Sequence, residues 1–167
     1  MTTVEGNRRR SAHSQLEAMR RLWPDFTGEK METGLIVWRG PLMPKAQSYS
    51  ISIFWHPAHF TLPYVVVSDP PIRPLKGGTY EQIPHLIFNG QNPELSALCL
   101  FDPDGNEWSE ADLIAEKTVY WAAEWLTYYE LWHLTGEWLA PSAGYESVAH
   151  IIAAEAKAFR EATKDVH

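Results

Sequence analysis

The stretch SYSISIFW, residues 48–55, alternates polar and apolar side chains over its first six positions. In an extended chain, Tyr49, Ile51 and Ile53 point to one face and the serines between them point to the other. A period of two over this length is typical of a strand in an antiparallel sheet with one face on the core. The stretch therefore predicts a β-strand and sets the class of fold around it.

Two further extended segments flank this strand. GLIVWRG (34–40) is a short apolar run closed by a Gly-Pro pair, and YVVVSD (64–69) is rich in the β-branched residues that favour strands. Proline cannot donate to a central ladder, and five prolines surround the second segment: Pro57, Pro63, Pro70, Pro71 and Pro74. The sequence thus predicts an antiparallel meander of about four strands. It stops near Asp69, apart from a short strand around IPHLIFNG (83–90).

Helical periodicity lies on both sides of the strands. Apolar residues at steps of 4, 3 and 4 predict an N-terminal helix from Arg9 to Trp23, which Pro24 ends. Ser109-Glu110-Ala111-Asp112 has the form of a capping box, and the aromatic stripe after it predicts a helix that stops at Gly136. A last helix is expected over residues 145–163. Helix, antiparallel strands, irregular stretch and helices in this order predict an α+β domain.

The chain is expected to form one domain. Residues 1–8 are polar and are predicted to be a flexible N-terminus, which leaves residues 9–167 as a single domain large enough to bury a core. No repeat and no low-complexity segment divides it.

Composition excludes several functions. A formal net charge of -7 argues against a nucleic-acid partner, and no apolar run approaches the ~20 residues that span a bilayer. A single cysteine excludes an intramolecular disulfide, so we expect a soluble, cytoplasmic protein with no membrane partner. The arginines at 8–10, 20 and 21 are either a solvated helix face or a docking site for an acidic partner.

No pattern predicts a metal or a cofactor. His56 and His59 have a proline between them, which disfavours a helical pair of ligands. Glu130 and His133 match one copy of a Glu-x-x-His motif, but carboxylate-bridged iron sites need two copies. Gly77-Gly78 lacks the lysine and serine of a phosphate-binding loop.

Cys99, the one cysteine, lies in SALCLFDPDGNEWSEAD (96–112). A lone cysteine is usually a small buried hydrophobe. A cysteine protease or amidase would pair Cys99 with His85 and Asn89, but such thiols sit at helix N-termini and the expected helix starts ten residues later. The irregular stretch of about 20 residues around Cys99 favours a functional loop, because loops of that length in compact domains are seldom idle.

The order of these features resembles the ubiquitin-conjugating-enzyme (UBC) fold. VWRGPLMPKAQSYSISIFW (37–55) is similar to that family's strand, Gly-Pro turn and following strand, and HPAHFTLPYVVVSDPP (56–71) to its proline-flanked third strand. HLIFNG (85–90) falls where the family carries its His-Pro-Asn motif. LCLFDPDGNEWSEADLI (98–114) resembles the active-site cysteine followed by a short acidic turn, a tryptophan and a capped helix. The resemblance covers residues 9 to about 130 and implies a UBC-like fold with an active-site cysteine loop.

The sequence departs from the eukaryotic pattern around His85, and its later segments resemble one branch of that family. Proline and asparagine do not directly follow His85, and His85 lies 14 residues before the cysteine, a longer gap than the eukaryotic pattern. The aromatic helix and HLTGEWLAPSAGYES (133–147) are similar to the bacterial branch found in antiviral cyclic-oligonucleotide signalling (CBASS) operons. A chain of 167 residues without an adenylation domain suits the short operon type, which lacks an activating enzyme or deconjugase.

The resemblance to this branch implies a function. Cys99 would accept the C-terminus of the operon's cyclic-oligonucleotide synthase, a nucleotidyltransferase, as a thioester and promote its conjugation. An activating enzyme would take part where the operon encodes one. Antiphage signalling would be regulated in this way. The alternative is a non-catalytic UBC-fold module that holds or regulates the partner, although the presence of the cysteine favours the enzyme.

Further site residues follow from the same resemblance. An asparagine of the motif stabilises the oxyanion in the family, and Asn89 and Asn92 are the candidates here. Asn89 is favoured, but Asn89-Gly90 is equally a turn-forming pair. His85 is expected to order the loop through a backbone hydrogen bond rather than to act as a base.

The residues after the cysteine have two interpretations. Asp102 and Asp104 either lower the pKa of an incoming lysine or form a turn, and turn chemistry is favoured. Trp108 is expected to pack under the loop and to fix the entry to the helix. Trp121, Trp125 and Trp132 form a stripe of core residues, and the density of aromatic residues between 120 and 132 suggests that part of the helix faces a partner.

Overall fold

The chain runs from a helix through a meander of strands to a second, longer helix. The structure, a computed structural model, describes residues 8–59, 62–101, 105 and 107–139. The helix predicted over 145–163 and most of the N-terminal segment expected to be flexible lie outside these residues. The elements are α1 (Ala12–Leu22), β1 (Thr27–Lys30), β2 (Ile36–Leu42), β3 (Tyr49–Trp55), β4 (Tyr64–Asp69), β5 (Leu86–Ile87), β6 (Ala97–Leu98) and α2 (Thr118–Thr135).

The first four strands form one antiparallel sheet in the order of the chain. Its register places Ile36 opposite Trp55 across β2 and β3, and Ile53 opposite Val65 across β3 and β4. β4 ends at Asp69, as the prolines around it predict. With a helix on each side of the meander in sequence, the predicted α+β class is confirmed.

Alternate side chains of the sheet enter two separate cores. The larger core lies between the sheet and both helices. From the sheet it takes Ile36, Trp38, Ile51, Ile53, Val65 and Val67. The smaller core lies on the opposite face and includes Leu35, Val37, Tyr64, Val66 and Ala97. The sheet centre is therefore buried on both faces, so β4 and the first half of β2 read as apolar runs, whereas β3 keeps serines at positions 50 and 52.

The predicted number of strands is right, but one member differs. β1, with the sequence Thr-Gly-Glu-Lys, is exposed at all four positions, so its sequence has no apolar alternation that would predict a strand. Of the strand predicted around 83–90, only Leu86–Ile87 forms a strand, and it pairs with β6 in a separate two-stranded sheet. The pair Leu86 and Leu98 faces the larger core, whereas Ile87 and Ala97 face the smaller one.

Helix α1 holds the segment before α2 through one buried side chain. Gln15 is 1% exposed; its Nε2 donates to the Asp112 carbonyl over 2.9 Å and its Oε1 accepts from the Ile114 amide over 2.9 Å. Trp23 adds an indole N–H donated to the Ala115 carbonyl over 2.8 Å. The N-terminal helix thereby fixes the chain that leads from the cysteine segment to α2.

The basic run near the start takes part in the same contact. The Arg9 guanidinium donates to the Pro57 carbonyl and pairs with the Glu110 carboxylate, and this hydrogen bond lowers the pKa of Glu110. Arg10 donates from Nε to the Ala111 carbonyl over 2.6 Å. Two of these arginines thus bind the chain itself, in addition to the two roles considered for the run.

Helix α2 begins later than its capping box predicts. One bond of the box forms, because Asp112 Oδ2 accepts from the Ser109 amide over 2.7 Å. Ser109 Oγ accepts from the Ala111 amide over 3.3 Å instead of the Asp112 amide, and the two bonds close a turn. An α-helix from Ser109 would need the Asp112 carbonyl and the Ile114 amide for its own ladder, and Gln15 occupies both. The helix therefore starts at Thr118. It ends as predicted at Gly136, whose φ of 79° is the left-handed conformation of a C-cap.

A substitution at Gly40 should test the packing between β1 and β2. A Cβ on Gly40 would lie 2.5 Å from Cγ of the buried Phe26 ring, so the ring must move. We expect Gly40→Ala to lower the free energy of unfolding by about 1–2 kcal/mol in urea titrations, because the added methyl group overpacks the site. The matched control is Gly90→Ala, whose Cβ would lie 3.7 Å from Phe88, an ordinary contact. Equal stability of the two variants would contradict this account.

Candidate active site

Cys99 stands directly after the second strand of the β5–β6 hairpin. Its backbone amide donates to the His85 carbonyl over 2.9 Å, which extends the pairing of Leu86 with Leu98 by one step. The residue is partly exposed, and its Sγ lies 3.8 Å from the Phe101 carbonyl oxygen, within reach of a weak thiol hydrogen bond. The thiol is thus held at the surface end of a hairpin and not in either core.

The turn that faces Cys99 has an unusual backbone. His85 follows Pro84 and has a φ of 51°, and a positive φ after proline is the pattern of a type II turn. Its carbonyl accepts a second hydrogen bond, from the indole N–H of Trp125 in α2, over 2.9 Å. One oxygen therefore joins the cysteine strand, the turn and the long helix.

The His85 ring packs against Trp138, with ring centroids 5.4 Å apart. Burial lowers the pKa of His85, so the imidazole is neutral at neutral pH. A neutral ring supplies no positive charge to stabilise a thiolate. The hydrogen bond from Cys99 to the His85 carbonyl joins backbone atoms, in line with a role in ordering the loop.

This burial predicts a pH dependence of stability. Because the pKa of His85 is lower in the folded chain, the unfolded chain binds more protons, and the free energy of unfolding falls as the pH drops below about 6.5. His85→Asn removes this titration and keeps a side chain that tolerates positive φ. We expect the stability of the variant relative to wild type to rise between neutral pH and a pH of about 5 in denaturant titrations. A relative stability independent of pH would show that the His85 ring does not resist protonation.

The two candidate asparagines lie at the other end of the hairpin. Asn89 is 6% exposed; its Oδ1 accepts from the amides of Gln91 and Asn92, each over 3.1 Å, and its own amide donates to Ser96 Oγ over 2.9 Å. Three residues of extended chain, from Ser96 to Cys99, span roughly 10 Å. The structure therefore brings His85 to Cys99 and places Asn89 and the exposed Asn92 at the closing turn.

Aromatic rings lie beside the exit of the cysteine segment. Phe101, two residues after Cys99, has its ring centroid 5.2 Å from that of Trp121 in α2 and 6.5 Å from that of Trp108. Trp108 is partly buried and packs against the larger core. Asp102 and Asp104 lie outside the described residues.

Three residues that support this site have no clear sequence signal. Trp125 belongs to an aromatic stripe that predicts core or interface, and the pattern does not show that its N–H reaches the His85 carbonyl. Phe101 stands in a segment without a period and Gln15 lies between the apolar steps of α1, so only the tertiary structure shows what they contact. A buried polar residue such as Gln15 breaks the apolar pattern of α1, which is the one hint that the sequence offers.

Trp125→Phe isolates the contribution of the indole hydrogen bond. The ring stays in the core while the His85 carbonyl loses one of its donors, so we expect a loss of about 1–2 kcal/mol in the free energy of unfolding. Cys99 should also react faster with a bulky thiol reagent, since its strand is held less firmly. Trp132→Phe trims the same side chain elsewhere on the buried face of α2 and serves as the control. Unchanged thiol reactivity in Trp125→Phe would show that the indole hydrogen bond does not hold the strand that carries Cys99.

The histidines singled out as metal candidates have backbone partners. His56 Nε2 lies 2.9 Å from the Thr33 carbonyl, while its Nδ1 accepts from the amides of Ala58 and His59. His133 Nε2 lies 3.0 Å from the Arg73 carbonyl. Within the described ranges, no three His, Cys, Asp or Glu side chains converge as metal ligands would. Nor is any helix there both long and apolar enough to cross a bilayer.

The fold and the site together define an α+β protein that presents one thiol at the end of a hairpin whose backbone is attached to the long helix. Residues 15–145 match the family described as type II CBASS E2 protein, and the chain belongs to that family. Membership confirms the resemblance to a CBASS E2-like protein and indicates an E2-like role in CBASS operons. A comparison with curated proteins finds no match.

Proposed function

We propose that this protein is a cysteine-dependent conjugating enzyme with a UBC-like domain over residues 9–167, in which Cys99 carries the C-terminus of a partner protein as a thioester. The observation that carries the proposal is the position of the thiol. Cys99 is partly exposed at the end of a hairpin whose backbone is tied to α2 through the His85 carbonyl. Membership of an E2 family supports the same activity.

The chemistry is an exchange of acyl groups. The Cys99 thiolate attacks the carbonyl carbon of a protein C-terminus that is activated as a thioester on another thiol. The new carbon–sulfur bond forms as the old one breaks, and the donor leaves as a thiolate. An amine then attacks the same carbon, a carbon–nitrogen bond forms, Cys99 leaves as a thiolate, and the surplus proton of the amine passes to water. Thioester exchange is nearly thermoneutral, so the enzyme contributes mainly by positioning.

The other candidate residues take supporting roles in this proposal. The His85 turn fixes the cysteine strand, and Asn89 stabilises the closing turn of the hairpin, because its Oδ1 accepts from the amides of Gln91 and Asn92. Trp108 supports the exit of the loop beside Phe101. For Asp102 and Asp104, the sequence favours a turn.

The proposed partner is the cyclic-oligonucleotide synthase of the same operon. The family description supports a CBASS role, and the resemblance of the sequence to the bacterial UBC-like branch supports the choice of the nucleotidyltransferase. An activating enzyme takes part where the operon encodes one. Conjugation of the synthase would then regulate antiphage signalling.

A gel experiment tests the proposal directly. The synthase is supplied to the purified protein either as a preformed C-terminal thioester or as the free chain with ATP and an activating enzyme, and the products are separated under non-reducing conditions. We expect an adduct with the summed mass of the two chains that disappears on adding dithiothreitol. Stable binding without a covalent adduct would support the non-catalytic module instead. A gene neighbourhood without a nucleotidyltransferase would remove the partner assignment and leave the thiol chemistry standing.

A further inference from the structure

A cleft of about 500 Å³ lies between α1 and β1. Apolar side chains of Leu16, Met19 and Phe26 line it, and His13 and Arg20 of α1 stand among its polar residues. β1 and β4 are three strand spacings apart, about 14 Å, and the cysteine hairpin contacts β4 through β6. The cleft is therefore separate from the proposed active site.

The cleft contains a buried hydrogen-bond donor that lacks an acceptor. Trp38 lines it and is 1% exposed, and its indole Nε1 has no hydrogen-bond partner in the part of the chain that the structure describes. A Cβ on Gly28 would lie 2.8 Å from this nitrogen, so a glycine in β1 leaves the indole edge room beside the strand. A buried donor without a partner costs about 1–3 kcal/mol, which an oxygen of a bound molecule would offset.

The backbone beside this donor is also available for pairing. Among the described residues, β1 is the edge strand of its sheet and pairs with β2 on one side only. Met31 donates to the Leu35 carbonyl over 2.8 Å, and the alternation of an antiparallel ladder then turns Glu29 towards β2 and the N–H and C=O groups of Gly28 and Lys30 outward. All four residues of β1 are exposed. The edge thus offers a row of donors and acceptors next to the indole.

We propose that this cleft binds an extended peptide segment of a partner protein, which adds a strand to β1 and places an oxygen against the Trp38 indole. Such a segment supplies backbone groups for the edge and side chains for the apolar wall together. A small molecule would meet the indole but not the edge. A second copy pairing through its own β1 would bring Gly28 and Lys30 to the indole's face, and neither side chain carries an acceptor oxygen.

The test uses the full chain and short linear peptides. A displayed library of random peptides is selected on the wild-type protein, and the enriched sequences are synthesised with a fluorescent label for anisotropy titrations. We expect the selected peptides to bind wild type and Cys99→Ala equally, since the cleft is remote from the thiol. We expect Trp38→Phe, which keeps an aromatic ring of smaller size but removes the N–H, to weaken binding roughly tenfold.

Two variants of Lys30 distinguish a peptide that pairs with the backbone of β1 from one that only contacts its side chains. Lys30→Pro deletes an outward N–H without touching the ladder to β2, and proline is tolerated on edge strands. It should weaken binding at least as much as Trp38→Phe, whereas Lys30→Ala, which keeps the N–H, should bind as wild type does. Hydrogen exchange at the amides of Gly28 and Lys30 should slow when peptide is bound.

Three results would overturn the proposal. One is a selection that yields no saturable binder, and another is a set of binders that neither Trp38→Phe nor Lys30→Pro weakens. The third is a homodimer in light scattering that Lys30→Pro dissociates, which would assign the edge to a second copy of the chain. Melting temperatures of the variants verify that each one is folded before binding is compared.

Discussion

Replacing Cys99 with alanine is expected to abolish the thiol-sensitive adduct with the synthase completely. The acyl carbon then has no sulfur to bond to, and within the described residues no second cysteine is present to replace it. Because the side chain is partly exposed and the bond to His85 uses the backbone amide, the fold should survive the change. The melting temperature and the affinity for the partner should therefore stay close to those of wild type.

Cys99→Ser provides the matched control for this prediction. A hydroxyl is far less nucleophilic than a thiolate at neutral pH, so any ester should form slowly and, unlike a thioester, should resist dithiothreitol. A thiol-sensitive adduct in either variant would show that a residue other than Cys99 carries the acyl group. Loss of partner binding in Cys99→Ala would instead point to a structural role of the thiol.

Gln15→Leu is expected to give the largest loss of stability among the buried polar positions. The change leaves the Ile114 amide and the Asp112 carbonyl without their partners, and Ile114 is fully buried. Each unsatisfied group costs about 1–3 kcal/mol, so we expect a decrease of about 3–4 kcal/mol in the free energy of unfolding. Urea titration followed by tryptophan fluorescence measures it.

The same variant should also loosen the segment that leads from the cysteine loop to α2. Amide exchange at residues 112–115 is expected to accelerate more than exchange in β3, which lies in the sheet. Arg21→Ala, an exposed position on the same helix, should change stability by no more than about 0.5 kcal/mol. If Gln15→Leu behaves like Arg21→Ala, the bridge through Gln15 contributes little to the fold.

The sequence predicts the elements whose periodicity reflects burial. The alternation around Ile51 and Ile53 and the steps through α1 both arise because one face of each element meets the larger core. β1 does not follow this rule because it is exposed at every position, so its pairing with β2 leaves no apolar period in its sequence. The predicted start of α2 was wrong for a related reason. Gln15, which is distant in sequence, bonds to the Asp112 carbonyl and the Ile114 amide, which a helix from Ser109 would need.

The candidate site, too, could be predicted from the sequence only in part. Cys99 could be singled out from its surroundings and from the order of the elements, and a backbone role for His85 was expected. The distance from Asn89 to the thiol depends on the register of the β5–β6 hairpin, which two-residue strands do not reveal in a sequence. The contact from Trp125 to the His85 carbonyl depends on how α2 lies across that hairpin, and no local pattern encodes it.

The turn at His85 bears on how such sites are recognised in other sequences. Its carbonyl receives both the Cys99 amide and the Trp125 indole, so the attachment does not depend on an imidazole. What the position must provide is tolerance of a positive φ, which glycine, asparagine, aspartate and histidine share. A search for a fixed histidine motif would therefore pass over proteins that build the same support from another residue. A search for a proline followed by any of these four, upstream of a lone cysteine and a tryptophan-bearing helix, would retain them.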